Sequence, residues 1–172
     1  MLAVGCTELK GNNSTSQTSA QHQTQNEYQD AEWNESLHKY TRVLGPDFKN
    51  AQIIINSLNN SDNFDNSNYT ALTTIGQNII DNSQAALTEN NQYTVSPQLQ
   101  DTQKEWGLAL EDCNSAGKYI VKIANDVKNG NTNSKFEDLE KYIKYRKSMN
   151  AHLKKTITLM KSASGMDNQT AT

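Results

Sequence analysis

The stretch 96–130, SPQLQDTQKEWGLALEDCNSAGKYIVKIANDVKNG, decides the fold. Within it Leu99, Gln103, Trp106, Leu110, Cys113, Gly117, Ile120, Ala124 and Val127 recur in alternating steps of four and three. That spacing sets them on one stripe of an α-helix. A stripe sustained this long is the seam of a helix packed along its length against near-parallel neighbours. Ser96-Pro97 offers an N-cap and a first-turn proline, and Asn129-Gly130 offers a stop. A helix of about 31 residues spans ~46 Å, more than enough to run the length of a small domain.

The same pattern recurs on both sides. Downstream, Phe136, Leu139, Ile143, Arg146, Asn150, Leu153, Ile157 and Met160 keep the steps, with Tyr142 and Met149 widening the stripe and Asn133-Ser134 as the expected cap. Glu137, Asp138 and Glu140 near the start and Lys154, Lys155 and Lys161 near the end suit the helix dipole. Upstream, residues 68–88 carry Tyr69, Leu72, Ile75, Ile79, Ile80 and Leu87, the least apolar of the segments. Before them come Trp33, Leu37, Tyr40, Leu44, Phe48, Ala51, Ile55 and Leu58. Gly45-Pro46 interrupts that run, and proline's missing N–H predicts a kink or two abutting helices there. Polar linkers at 59–67, 89–96 and 129–134 are short enough to join antiparallel neighbours. The expected fold is all-α, an up-down-up-down antiparallel four-helix bundle over 27–163, with a polar tether at 1–26 and a tail at 164–172.

Composition agrees with this reading and excludes several others. The chain has 172 residues, a net charge of -3 and 34% apolar residues, and Asn, Gln, Ser and Thr supply 65 positions. No apolar run approaches the ~18 residues of a membrane-spanning helix. Sixteen basic against nineteen acidic residues argue against nucleic acid as a partner. Two cysteines, Cys6 and Cys113, are too few for a disulfide framework.

The opening Met1-Leu2-Ala3-Val4-Gly5-Cys6 resembles a prokaryotic lipobox, in which a small residue precedes the cysteine that receives lipid. The leucine stands one place further upstream than in the commonest pattern. Residues 7–26 hold one Leu, one Ala and no aromatic residue, so they bury too little to offset their ordering entropy. They suit a tether that holds a domain clear of a surface. Together with Leu108-Ala109-Leu110-Glu111-Asp112 and Ala116-Gly117-Lys118-Tyr119-Ile120, this organisation resembles cell-surface lipoproteins of prokaryotes, methanogenic archaea in particular. The resemblance implies lipidation of Cys6, an extracytoplasmic, membrane-anchored location and a binding or interaction role. Asn34, Asn59 and Asn68, like Asn12, Asn13 and Asn168, stand in Asn-x-Ser/Thr sequons and are permitted glycan sites.

The motifs of enzymes are missing. Of His22, His38 and His152 only His38 has a Glu three residues before it (Glu35), and the di-iron pattern of bundles needs that motif on two helices, so the pattern is incomplete; neither a zinc-type cysteine pair nor a covalent-haem motif occurs. No nucleophile elbow, P-loop or dinucleotide fingerprint is present. The run Ser61–Asn68 alternates oxygen donors as calcium loops do. Counted from Asp62, however, Ser67 and Thr73 replace the required Gly and Glu, and a polar turn is the plainer reading. No catalytic residue, metal or cofactor is expected.

Three binding-type signals remain. Arg146 and Asn150 occupy seam positions where apolar residues belong. Either Arg146 meets an acid such as Asp112 or Glu111, or it lies at the seam's margin; with Tyr142 the pair could form a polar pocket for a small ligand. A second is the stripe Lys144, Lys147, Lys154 and Lys161, read as a solvated face opposite Glu27, Asp30, Glu32 and Glu35. The third is Gly76 and Gly117, with Ala116, which permit close helix approach. The leading expectation is a non-enzymatic, lipid-anchored binding module. The alternatives are a ligand-sensing bundle with its pocket at Arg146, Asn150 and Tyr142, and a cofactor-binding bundle using His38 or His152.

Overall fold

The seam in 96–130 becomes the central helix of the computed structural model, which describes residues 28–58 and 66–164. Four helices, α1 (Asp30–Ser57), α2 (Asn66–Gln92), α3 (Gln100–Lys128) and α4 (Thr132–Ala163), form an antiparallel all-α bundle. Cys6, the tether, Asn59 and positions 61–65 of the acidic stretch lie outside the described residues.

Chain turns follow local chemistry. Gly130 has φ 72°; its N–H donates to Val127 O at 3.2 Å, and Asn131 N–H donates to Asp126 O at 2.8 Å. Those two bonds are the Schellman closure that glycine permits in the left-handed region. α3 begins later than Ser96-Pro97 predicts. Leu99 N–H donates to Ser96 O at 2.9 Å, so the Ser-Pro pair builds a turn ahead of the helix. The Ser96 N–H donates to Asp30 Oδ1 at 2.8 Å, which fastens that turn to α1. α4 starts at Thr132, ahead of the expected Asn133-Ser134 cap, with Asn131 at the N-cap position and no side-chain cap bond.

α1 runs through Gly45-Pro46 as one helix, not two. Pro46 and Arg42 are both exposed, so the carbonyl left without its i+4 donor faces solvent. Glycine ahead of the proline also removes the Cβ that would meet the ring in helical geometry.

α3 buries two stripes. Trp106, Leu110, Cys113, Gly117, Ile120 and Ala124 are the expected seam. Thr102, Glu105, Ala109, Ala116 and Ile123 form a second one, turned toward α4. On α2 the buried positions are Leu72, Gly76, Ile79, Ser83, Ala86 and Asn90, a 4-3-4-3-4 series with few large side chains. Small residues let the backbones close up: a Cβ on Gly117 would lie 3.0 Å from Gly76 O, and one on Gly76 would lie 3.1 Å from Gly117 O. Close approach is the role these glycines have in the fold.

On α4 the buried face is offset from the expected seam. Tyr142, Met149 and Thr156 are buried. Phe136, Ile143 and Ile157 are 51%, 41% and 55% exposed, and Asn150 is exposed as well. The reason lies in the pairing. Close backbone approach is essentially confined to sequential pairs, α1 on α2, α2 on α3 and α3 on α4. α4 therefore turns its Tyr142–Met149–Thr156 edge onto α3, with Tyr145 stacked on Tyr119 at 5.6 Å between ring centroids. Of the adjoining edge, Asn150 lines the space between α4 and α1, while Phe136, Ile143 and Ile157 stay exposed.

Candidate functional site

α1 is held chiefly through polar bonds in its first eleven residues. Gln29 N–H donates to Thr94 O at 2.8 Å, and the Trp33 indole N–H donates to Asn90 Oδ1 at 2.8 Å. Ser36, Lys39 and Tyr40 all converge on the Glu89 carboxylate at 2.8, 2.8 and 2.6 Å. These donors hold the Glu89 pKa down at about 2, against burial acting the other way, with the Lys39 bond the largest cause. Beyond Tyr40 the helix is anchored by apolar burial of Leu44, Phe48, Ala51 and Ile55.

Alongside that second half lies a cleft of about 420 Å³ between α1 and α4. Trp106 and Cys113 of α3 floor it. Leu44, Phe48 and Ile53 form one wall, and Met149 and Leu153 form the other. Thr41, Lys49 and Gln52 stand along the α1 side, and Arg146 and Asn150 along the α4 side. Its lining includes two cations and no carboxylate. A second, separate hollow of about 380 Å³ lies at the start of α1, where Asp30–Asn34 and Met160–Ser164 meet Ser96, Gln98 and Leu99 ahead of α3.

The structure separates the three residues expected to share a pocket. Arg146 and Asn150 line the cleft, whereas Tyr142 lies on the buried seam of α4 and is 1% exposed. Burial raises the Tyr142 pKa, opposed by the nearby Arg146 charge, and its hydroxyl has no hydrogen-bond partner. The expected acid for Arg146 is engaged elsewhere. Asp112 Oδ2 lies 3.9 Å from His152 Nε2, and among the described residues Arg146 takes part in no ion pair. It sits half-buried at the seam's margin.

Glu105 was not legible as a buried group. Its Oε1 accepts from Lys155 Nζ at 2.6 Å, and its Oε2 lies 2.7 Å from His152 Nδ1. Lys155 and His152 lower its pKa. Glutamate next to Trp106 reads as outward-facing, and Glu32 beside Trp33 is indeed exposed. The difference is the second neighbour of α3. Cys113 is a free, buried thiol whose pKa is pushed up to about 12, chiefly by burial, so it behaves as an apolar floor. His38 is exposed on α1. Asn34 is half-buried in α1 with its Oδ1 out of solvent and unpartnered, and Asn68 is half-buried in the first turn of α2. Lys144, Lys147, Lys154 and Lys161 are exposed. Among the described residues no group of three or more His, Cys, Asp or Glu is placed to hold a metal ion. No described helix is long and apolar enough to cross a membrane.

The two carboxylate clusters predict an acid limb. Both Glu89 and Glu105 ionise more readily folded than unfolded, so their contribution is complete above the ordinary carboxylate value of 4.5. It fades as the pH falls toward the folded value, about 2 for Glu89. Urea unfolding is expected to show stability dropping between about pH 5 and pH 2, with Glu89→Gln and Glu105→Gln each flattening that slope. Since Lys39 is largely exposed, solvent screening limits the Glu89 share to roughly 1 kcal/mol. A slope unchanged in both variants would show that these clusters do not govern acid stability.

Neither a protein-family model, nor a curated protein, nor a solved structure matches this chain.

Proposed function

We propose that this chain is a non-enzymatic binding module, tethered by lipid on Cys6 at an extracytoplasmic surface, that receives its partner in the α1–α4 cleft. The observation that carries the binding role is the cleft. A bundle that needed only stability would let α1 close on α4; here Ile53 stays 59% exposed on the wall of a cavity floored by tryptophan, and Leu44, Phe48, Met149 and Leu153 line the same space. Its volume falls within the ~300–1,000 Å³ of small-molecule sites, and its chemistry, apolar walls with a few polar groups at the lip, is theirs too. The absence of catalytic motifs from the sequence supports a binding role over an enzymatic one. Support for the anchor is the lipobox-like opening and the polar run after it.

Two measurements test the two halves. Binding of the neutral apolar dye N-phenyl-1-naphthylamine should raise its fluorescence. Thr41→Trp and Asn150→Trp, on opposite lips and at exposed positions, should each weaken it severalfold. A dye that binds both variants as it binds the parent is not in the cleft, and the reading fails. For the anchor, the intact mass of protein from the native membrane fraction should show cleavage after Gly5 and a diacylglyceryl adduct on Cys6. An unmodified chain recovered from cytosol would remove the anchor and leave the cleft untouched.

A further inference from the structure

Resting on the cleft as the binding site, we infer that its occupant is a small organic monoanion with an unbranched apolar body, its head held at the lip by Arg146 and Lys49. The first argument is charge. Arg146 comes from α4 and Lys49 from α1, so the lip is cationic on both sides. Neither cation is in an ion pair among the described residues. A half-buried guanidinium with no counter-ion is costly unless an anion meets it, and arginine's fork suits the two oxygens of a carboxylate.

The neighbouring acids are not competitors. Glu105 and Asp112 flank the floor residues Trp106 and Cys113 in sequence, yet neither lines the cleft, since one residue turns a helix by about 100° and brings them to the side of α3 that packs on α4. There His152 and Lys155 take Glu105, and His152 approaches Asp112. α3 thus presents an apolar surface to the cleft and its negative charge to α4. An occupant entering from the lip meets positive charge first and apolar walls beyond it.

Shape is the second argument. The cleft lies between two long antiparallel helices and is lined from Thr41 to Ile53 along α1 and from Arg146 to Leu153 along α4, so the space runs along the helices as a trough. A linear chain follows a trough along its length, with the methylenes covered by Phe48, Met149 and Leu153 and methionine adapting to the chain's contour. A cationic amphiphile would be repelled at the lip.

Titration calorimetry of the full chain with dodecanoate, dodecan-1-ol and dodecyltrimethylammonium, each below its micelle concentration, tests this directly. Dodecanoate should bind roughly tenfold more tightly than the alcohol, the size of one charge-assisted contact, and the ammonium most weakly. In Lys49→Gln/Arg146→Met the preference for dodecanoate over the alcohol should vanish. If the alcohol and the carboxylate bind equally to the parent, or if the double variant keeps the preference, the anionic head is refuted and the apolar cleft survives. If none of the three binds and sedimentation shows a monomer, the cleft reading itself fails. Sedimentation as a dimer that dodecanoate does not dissociate would assign the trough to a second copy and overturn the proposal.

Discussion

Gly117→Val is expected to lower the unfolding free energy by about 3 kcal/mol or more, the upper end of what overpacking costs. The first carbon of the new side chain would stand 2.9 Å from Ile80 Cγ1, 3.0 Å from Ile79 Cγ2 and 3.0 Å from the Gly76 carbonyl oxygen. The isoleucine ends can turn aside. The carbonyl belongs to the backbone of α2 and cannot, so the helices must separate along the crossing. Gly117→Ala meets the same oxygen but regains up to about 1 kcal/mol of helix propensity, so its loss should be clearly smaller. Chemical denaturation of the two variants checks the order. If valine is tolerated as well as alanine, α2 and α3 do not approach as closely as their small residues indicate.

Trp33→Ala should cost about 3–5 kcal/mol, the range for emptying a buried aromatic site. Trp33 is 1% exposed, and its indole N–H reaches Asn90 Oδ1. Asn90 is itself tied to the start of α3: its Nδ2 donates to Gln103 O at 3.3 Å, and Gln103 Nε2 donates to Asn90 O at 2.7 Å and Tyr93 O at 3.0 Å. The tryptophan thus fastens α1 to the junction of α2 and α3. Trp33→Phe keeps most of the apolar volume but strands the Asn90 oxygen, and should cost about 1–3 kcal/mol by that route. Thermal unfolding of the three proteins separates cavity from hydrogen bond. The binding site offers a further check, because α1 relies on this clasp to stand beside α4. Dye binding in Trp33→Phe should weaken in step with the loss of stability. Equal stability of Phe and Ala variants would mean the indole contributes its hydrogen bond and little packing.

Much of the architecture was legible before any coordinate. On α1 the positions from Trp33 to Ile55 at helical spacing are the buried ones, and Asn129-Gly130 ends α3 as glycine after a helix should. Periodicity works there because each of those stripes faces one apolar environment. It misleads on α4, where Phe136, Ile143, Asn150 and Ile157 continue the pattern and yet lie outside the buried seam. Nothing in their identity distinguishes a face that is covered from a face that is merely apolar. On α2 the seam runs through Gly76, Ser83 and Ala86, which a search for large apolar residues passes over. Those small residues mark where α3 comes close.

The candidate site was half legible for the same reason. Arg146 and Asn150 stood out because charge and amide interrupt an apolar series, and both line the cleft. Trp106, Phe48 and Met149 read as ordinary core, since a residue that floors a cavity has the same chemistry as one that fills it. Sequence alone determined four helices, their order and where the chain turns, because helical period and turn residues are local properties. Which helices touch, which edge of α4 is left open, and that Glu105 is buried beside His152 were decided by the tertiary structure. Those outcomes depend on which pairs of faces meet, and a free face and a buried one are written in the same residues.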